Sequence, residues 1–154
     1  MVGMHWGVEY THEPTVYEKD IASFLASLDV DIIIGGHPHV IQPVTWIDDT
    51  LVIYSLGNFI SAQYQDENYN KMVGLMTSLE INKTIKGEEV SISIDNVEND
   101  LVYTYYKNWS GYKVVPFSSS VIANYLPDYR RVYERYKGIV QKYDSNMPVK
   151  ALGV

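Results

Sequence analysis

Asp31-Ile32-Ile33-Ile34-Gly35-Gly36-His37-Pro38-His39 decides the reading of this chain. A short apolar run closed by two glycines reads as a buried strand. Two histidines follow at its mouth, one residue apart. Imidazole is the commonest protein ligand for zinc and also binds manganese and iron. His37 and His39 are therefore a candidate metal grip, although two hydrogen-bonded loop histidines leave the same pattern. Gly35 and Gly36 are expected to let the backbone turn sharply and come near a ligand. Pro38 stiffens the loop and removes one N–H donor.

Upstream, Val2 to His5 reads as the end of another strand, with His5 in the setting Met4-His5-Trp6-Gly7. Between the two strands Tyr17, Ile21, Phe24, Leu25 and Leu28 recur at helical spacing. That spacing predicts an amphipathic helix over about 14–28, with Pro14 at its first position and Glu13 and Glu18 near its positive end. Strand, helix, strand within roughly 30 residues is a βαβ unit, which builds a parallel sheet. Ligands in such sheets gather beyond the carboxyl ends of the strands. His5 is thereby expected at the same sheet edge as His37 and His39, while His12 has no such setting. Glu9 reads as a carboxylate that orients a histidine or touches a substrate. Asn58, after Gly57, is either a contact to phosphate or metal-bound water or a turn residue.

Downstream, 44–47 and 51–54 read as strands joined by a turn at Asp48-Asp49-Thr50. Residues 62–71 are polar and read as an irregular connector or a flap. From 72 onward the apolar period becomes two. Val73, Leu75, Thr77, Leu79 and Ile81 share one face, and Val90, Ile92 and Ile94 share a face in the next strand. Further strands are expected near 101–106 and 112–117, and a last helix over about 127–143 with Tyr129, Val132, Tyr133, Tyr136 and Val140 inward.

With 154 residues and 46% hydrophobic content, the chain is expected to form one domain with a real core. A net charge of -7 argues against a nucleic-acid groove. No apolar run reaches the ~18–20 residues that cross a bilayer, and no charged-then-apolar leader is visible. The absence of cysteine excludes disulfides, thiolate metal sites and a cysteine nucleophile. Three neutral imidazoles hold one divalent ion modestly. Two ions bring four positive charges within ~4 Å and need carboxylates, of which only Glu9 stands at a strand end.

His5-Trp6-Gly7-Val8-Glu9-Tyr10, then Gly35-Gly36-His37-Pro38-His39-Val40-Ile41-Gln42-Pro43, then Tyr54-Ser55-Leu56-Gly57-Asn58-Phe59-Ile60 resemble bacterial capsule-synthesis and poly-gamma-glutamate-synthesis proteins of the CapA type. Those belong to the calcineurin-like metallophosphoesterase superfamily. The resemblance implies an α/β fold, a four-layer α/β/β/α sandwich of two packed sheets flanked by helices. It implies that His5, His37 and His39 are the metal-binding and catalytic histidines. The cofactors would be divalent ions, Mn, Fe or Zn, that activate a water for attack on phosphorus. Only four residues precede His5, so the acidic ligands of the family's first half have no counterpart here. Residues 1–154 are therefore expected to form the C-terminal half of the domain, inactive alone. Apolar surface left uncovered would then favour self-association. The resemblance further implies capsule or poly-gamma-glutamate synthase components as partners and a cell-surface, extracytoplasmic location. The alternative is a non-catalytic scaffold for polymer synthesis or export.

Overall fold

A computed structural model describes residues 1–61, 63 and 67–153. Most of the 62–71 connector read as a flap therefore lies outside the described residues or at their margin. The chain forms a mixed α/β fold with two sheets. The first is built from β1 (Val2–His5), β2 (Ile32–Gly36), β3 (Val44–Ile47) and β4 (Thr50–Ile53), in the order β1-β2-β4-β3. β1 runs parallel to β2 and β2 parallel to β4, while β3 is antiparallel to β4. The expected βαβ unit is present, and His5 stands opposite Gly36 in its register.

The crossover helix α1 (Val16–Ala26) is shorter than the periodicity predicts. Thr15 is its N-cap, and Thr15 and Glu18 form a reciprocal capping box that satisfies two helix-start donors. Pro14 lies before the cap rather than in the first turn. The face it buries also differs from expectation. Glu18 and Ala22 are fully buried, Ile21 and Leu25 are half-buried, and Tyr17, Phe24 and Leu28 point to solvent. The helix is thin at this point, so the small Ala22 can approach the sheet and the larger apolar residues fall on its flank.

The second sheet is β5 (Val73–Lys86), β6 (Glu89–Lys107) and β7 (Ser110–Pro116), a meander in that order. The strands expected at 90–94 and 101–106 are one continuous strand. The apolar parity changes within it, from even positions at 90–94 to odd positions at 101–103. A β-bulge causes the change. Ser78 pairs with Glu98 but Glu80 pairs with Asp95, so Asn96 and Val97 together oppose Leu79. Asn96 takes a left-handed φ of 52°. The extra residue restores one common face on either side of the bulge. The β6–β7 turn is two residues, Asn108 and Trp109, both with positive φ, as a type I′ hairpin demands.

A core joins Val44, Leu51 and Ile53 of the first sheet, with Ile41 of the loop before β3, to Val73, Leu75, Leu101, Tyr103 and Val115 of the second. Helix α2 (Tyr129–Val140) enters the same core through Val132, Tyr133, Tyr136 and Val140, as its periodicity predicts, with Tyr129 only half-buried. On the other face of the first sheet, α1 covers a smaller cluster of Trp6, Ala22, Ile33, Val52 and Tyr54. The arrangement agrees with an α/β sandwich. Among the described residues no helix is long and apolar enough to cross a membrane.

Candidate metal-binding edge

Strand ends β1 and β2 deliver three histidines to one place. The rings of His5 and His37 lie 4.5 Å apart between centroids, and those of His37 and His39 lie 6.2 Å apart. Two backbone hydrogen bonds fasten the loops that carry them. Trp6 N–H donates to the Gly36 carbonyl at 3.1 Å and Tyr10 N–H to the Pro38 carbonyl at 2.7 Å.

The glycine pair does a different job from the one expected. Both residues end β2 rather than forming a turn. A Cβ on Gly35 would sit 1.9 Å from the Tyr54 carbonyl oxygen and 2.3 Å from the Trp6 indole nitrogen. Gly35 therefore makes room for the buried hydrogen bond from Trp6 Nε1–H to the Tyr54 carbonyl, 2.9 Å. The turn itself falls on the histidines, His37 with φ 104° and His39 with φ 59°. Non-glycine residues rarely adopt such values, and the surrounding hydrogen bonds must hold them there.

Asn58 orients His39. The Asn58 amide nitrogen donates to the Lys71 carbonyl at 3.0 Å, which sets the amide so that Oδ1 faces His39 Nδ1, also at 3.0 Å. With Oδ1 so oriented, His39 Nδ1–H is the donor of this contact, and the ring is held in one direction. Glu9 Oε1 is 3.7 Å from His39 Nε2, beyond hydrogen-bond reach, with both side chains well exposed. Neutral imidazoles with a neighbouring carboxylate suit zinc, manganese or iron in donor chemistry. Their spacing does not complete a shell: among the described residues no group of three or more histidine, aspartate or glutamate side chains is placed to hold one ion.

Two residues that the sequence reading named without giving them a part in the site are tied to its loops. Glu18 is fully buried; its Oε2 accepts from Thr15, and its Oε1 has no partner. That Oε1 sits 2.6 Å from where a Cβ would stand on Gly7, and Pro38 closes the same space. Gly7, at φ 91°, thus admits the carboxyl beneath both histidine loops. The Thr-x-x-Glu capping signature at Thr15–Glu18 was the available signal. His12 is the other. Its Nδ1 faces the Ile41 carbonyl at 2.8 Å and its Nε2 faces Asn70 Oδ1 at 3.0 Å, with Tyr136 edge-on to the ring. No local sequence pattern announces a histidine that ties its own loop to three distant segments.

Next to His12, Glu13 gathers Lys19, Lys142 and Tyr143. Burial alone would raise the Glu13 carboxyl, but hydrogen bonds from these three hold it down to about 2. Glu13 in turn holds the Lys19 ammonium above its ordinary range. Burial pushes the Tyr54 hydroxyl up to about 12. The segment that follows α2 is thereby fastened to the loop that follows His5.

A parallel α/β edge carrying three histidines defines the class of this region. Residues 1–63 match the model of the bacterial capsule synthesis protein PGA_cap family. Over 63 residues the chain is 40% identical to the PGA biosynthesis protein CapA of Bacillus subtilis, covering 41% of this chain and 17% of that protein. It is 38% identical over 63 residues to the capsule biosynthesis protein CapA of Bacillus anthracis, covering 41% of this chain and 15% of that protein. The first 63 residues are thus CapA-like, as the three motifs predict, and the chain spans about a sixth of the length of these curated relatives. No solved structure matches the chain.

Proposed function

We propose that this chain contributes the histidine side of a divalent metal site in a phosphoesterase-like protein of capsule or poly-gamma-glutamate biosynthesis. The observation that carries the reading is the meeting of His5, His37 and His39 at the carboxyl ends of β1 and β2, with His39 oriented through Asn58. The CapA-like sequence of residues 1–63 supports the biosynthetic setting and an extracytoplasmic or surface location. The acidic donors that would close the shell belong to a segment adjoining β1, whose outer edge is free of strand pairing among the described residues. An ion held there would supply Lewis-acid stabilisation of phosphoryl oxygens. Without that segment the chain is inactive.

Calorimetric titration with Zn²⁺ and Mn²⁺ tests the reading directly. The chain is expected to bind one or the other weakly, His37→Ala to lose binding, and Asn58→Ala to weaken it by about 10–100-fold. Equal binding by the chain and by His37→Ala would end the reading. A second reading is favoured by the incomplete donor spacing: a non-catalytic scaffold that organises a synthase. It predicts that a protein containing this chain co-purifies with synthase components and that chelators leave the complex intact.

A further inference from the structure

The histidine edge also carries an aromatic ring and an ammonium to which metal binding gives no part. Tyr10 stacks on His39, with ring centroids 6.0 Å apart and planes 27° from parallel. The Lys71 ammonium sits over the same Tyr10 ring, 5.3 Å from its centroid, where the electron-rich face attracts a cation. Asn58 ties the two ends of this row together. Its amide nitrogen donates to the Lys71 carbonyl, and its Oδ1 faces His39. One side chain therefore sets both the imidazole and the backbone that carries the ammonium.

Tyr10 is brought there at a cost. Its backbone is left-handed, φ 63°, which a bulky residue rarely adopts, and its N–H is held by the Pro38 carbonyl. The ring nevertheless stays 50% exposed, so burial of apolar area does not account for the placement. Lys71 is half-buried and pairs with no carboxylate among the described residues, whereas Lys19, Lys142 and Lys150 each do. Glu9, though at the same edge, lies against His39 instead.

Charge gives this row a use. A phosphoryl substrate is an anion, and the chain carries a net charge of -7, with Glu9 beside His39. An anion approaching the histidines is repelled unless a fixed cation meets it. We infer that Lys71, seated on Tyr10 beside His39, is a substrate-binding residue that takes an oxyanion of the ligand, a role that rests on the reading of this edge as a phosphoesterase-like centre. An ammonium on a flexible stem reads charge rather than shape, so a phosphate and a carboxylate share this chemistry.

Two titrations of the chain without added metal, one with inorganic phosphate and one with glutarate, test this at constant pH and ionic strength. The readout is the NMR resonances of the Tyr10 and His39 rings. Saturable shifts with either anion are expected, with Lys71→Met weakening binding by about 10-fold or more and Lys71→Arg keeping it. Tighter binding of phosphate makes Lys71 the receiver of the reacting phosphoryl group; tighter binding of glutarate makes it the receiver of a carboxylate elsewhere on the substrate. Glu9→Gln removes a like charge and raises affinity by about 2–3-fold. Ring resonances that neither anion moves, or equal affinity in the wild type and Lys71→Met, would overturn the inference. Should Lys71→Met unfold, an affinity that fails to rise in Glu9→Gln would overturn it as well. Lys71→Met is expected to keep the wild-type response to Zn²⁺ and Mn²⁺, because the carbonyl that orients Asn58 belongs to the backbone. Anion binding without metal binding would therefore overturn the phosphoesterase reading and uphold Lys71 as an oxyanion site, whereas metal binding without an anion response would overturn the role of Lys71 alone.

Discussion

The histidine edge and the β5–β6 ribbon treat their side chains in opposite ways. At the edge, the loops around His5, His37 and His39 are held by backbone hydrogen bonds, by Asn58 and by the buried Glu18. Left-handed backbone at His37 and His39 is sustained by that web. Along the ribbon, the ladder between the two strands is joined by exposed side-chain hydrogen bonds from Asn82 to Asp95 and from Asn96 to Glu80, and an aliphatic face looks out to solvent. An edge so heavily fastened is arranged to present donors in fixed directions. A ribbon so lightly fastened is stable by pairing and offers area instead. Interior and exterior demands are separated within one chain, and substitutions should feel the difference.

The sharpest way to break this contrast is Gly35→Ala. The new methyl would overlap the Tyr54 carbonyl and the Trp6 indole, both fixed by their mutual hydrogen bond. We expect a loss of about 3 kcal/mol or more in chemical denaturation, with tryptophan fluorescence altered. Next, Thr15→Ala should cost about 1–2 kcal/mol, because it removes the cap and leaves the buried Glu18 carboxyl without its donor hydroxyl. Its secondary effect should be broadened resonances of the His37 and His39 rings, since Glu18 lies under their loops.

Glu13→Gln sharpens the comparison by pH. The folded carboxyl is held at about 2 against an ordinary 4.5. A lowered carboxyl contributes stability above its ordinary value, and that contribution fades as pH falls from 4.5 through 2. The wild-type chain should therefore lose stability across that window, and Glu13→Gln should flatten the slope there while lowering stability modestly at neutral pH. Smallest of all, Ile85→Ser on the ribbon should change stability by no more than about 0.5 kcal/mol. A large loss there would mean that the aliphatic face is already covered within one chain.

Much of this contrast could be read in advance, and the exceptions have causes. Apolar runs and turn residues placed β1 to β4, and the βαβ logic correctly brought His5 to His37 and His39 across some thirty positions. The type of α1 was legible, but its buried face was not. Periodicity counts hydrophobic side chains, whereas the sheet selected Ala22 for its size and Glu18 for its cap. The alternation of the second sheet was legible too, yet the bulge at Asn96 split one strand into two apparent ones. Tertiary partners left no periodic trace at all. His12 meets Tyr136, and Glu13 meets Tyr143, only because α2 and the segment after it fold back onto the first loop.

Asn96 carries a consequence for how this chain can vary. Removing Asn96 would leave Val97 alone opposite Leu79, and every pair on either side would keep its partner, because β5 carries no surplus residue. The aliphatic positions of the tip would stay on their own side while the arm lost its local bend. A deletion at that one position is therefore absorbed on the spot, whereas one elsewhere in the arm changes which side chains look outward.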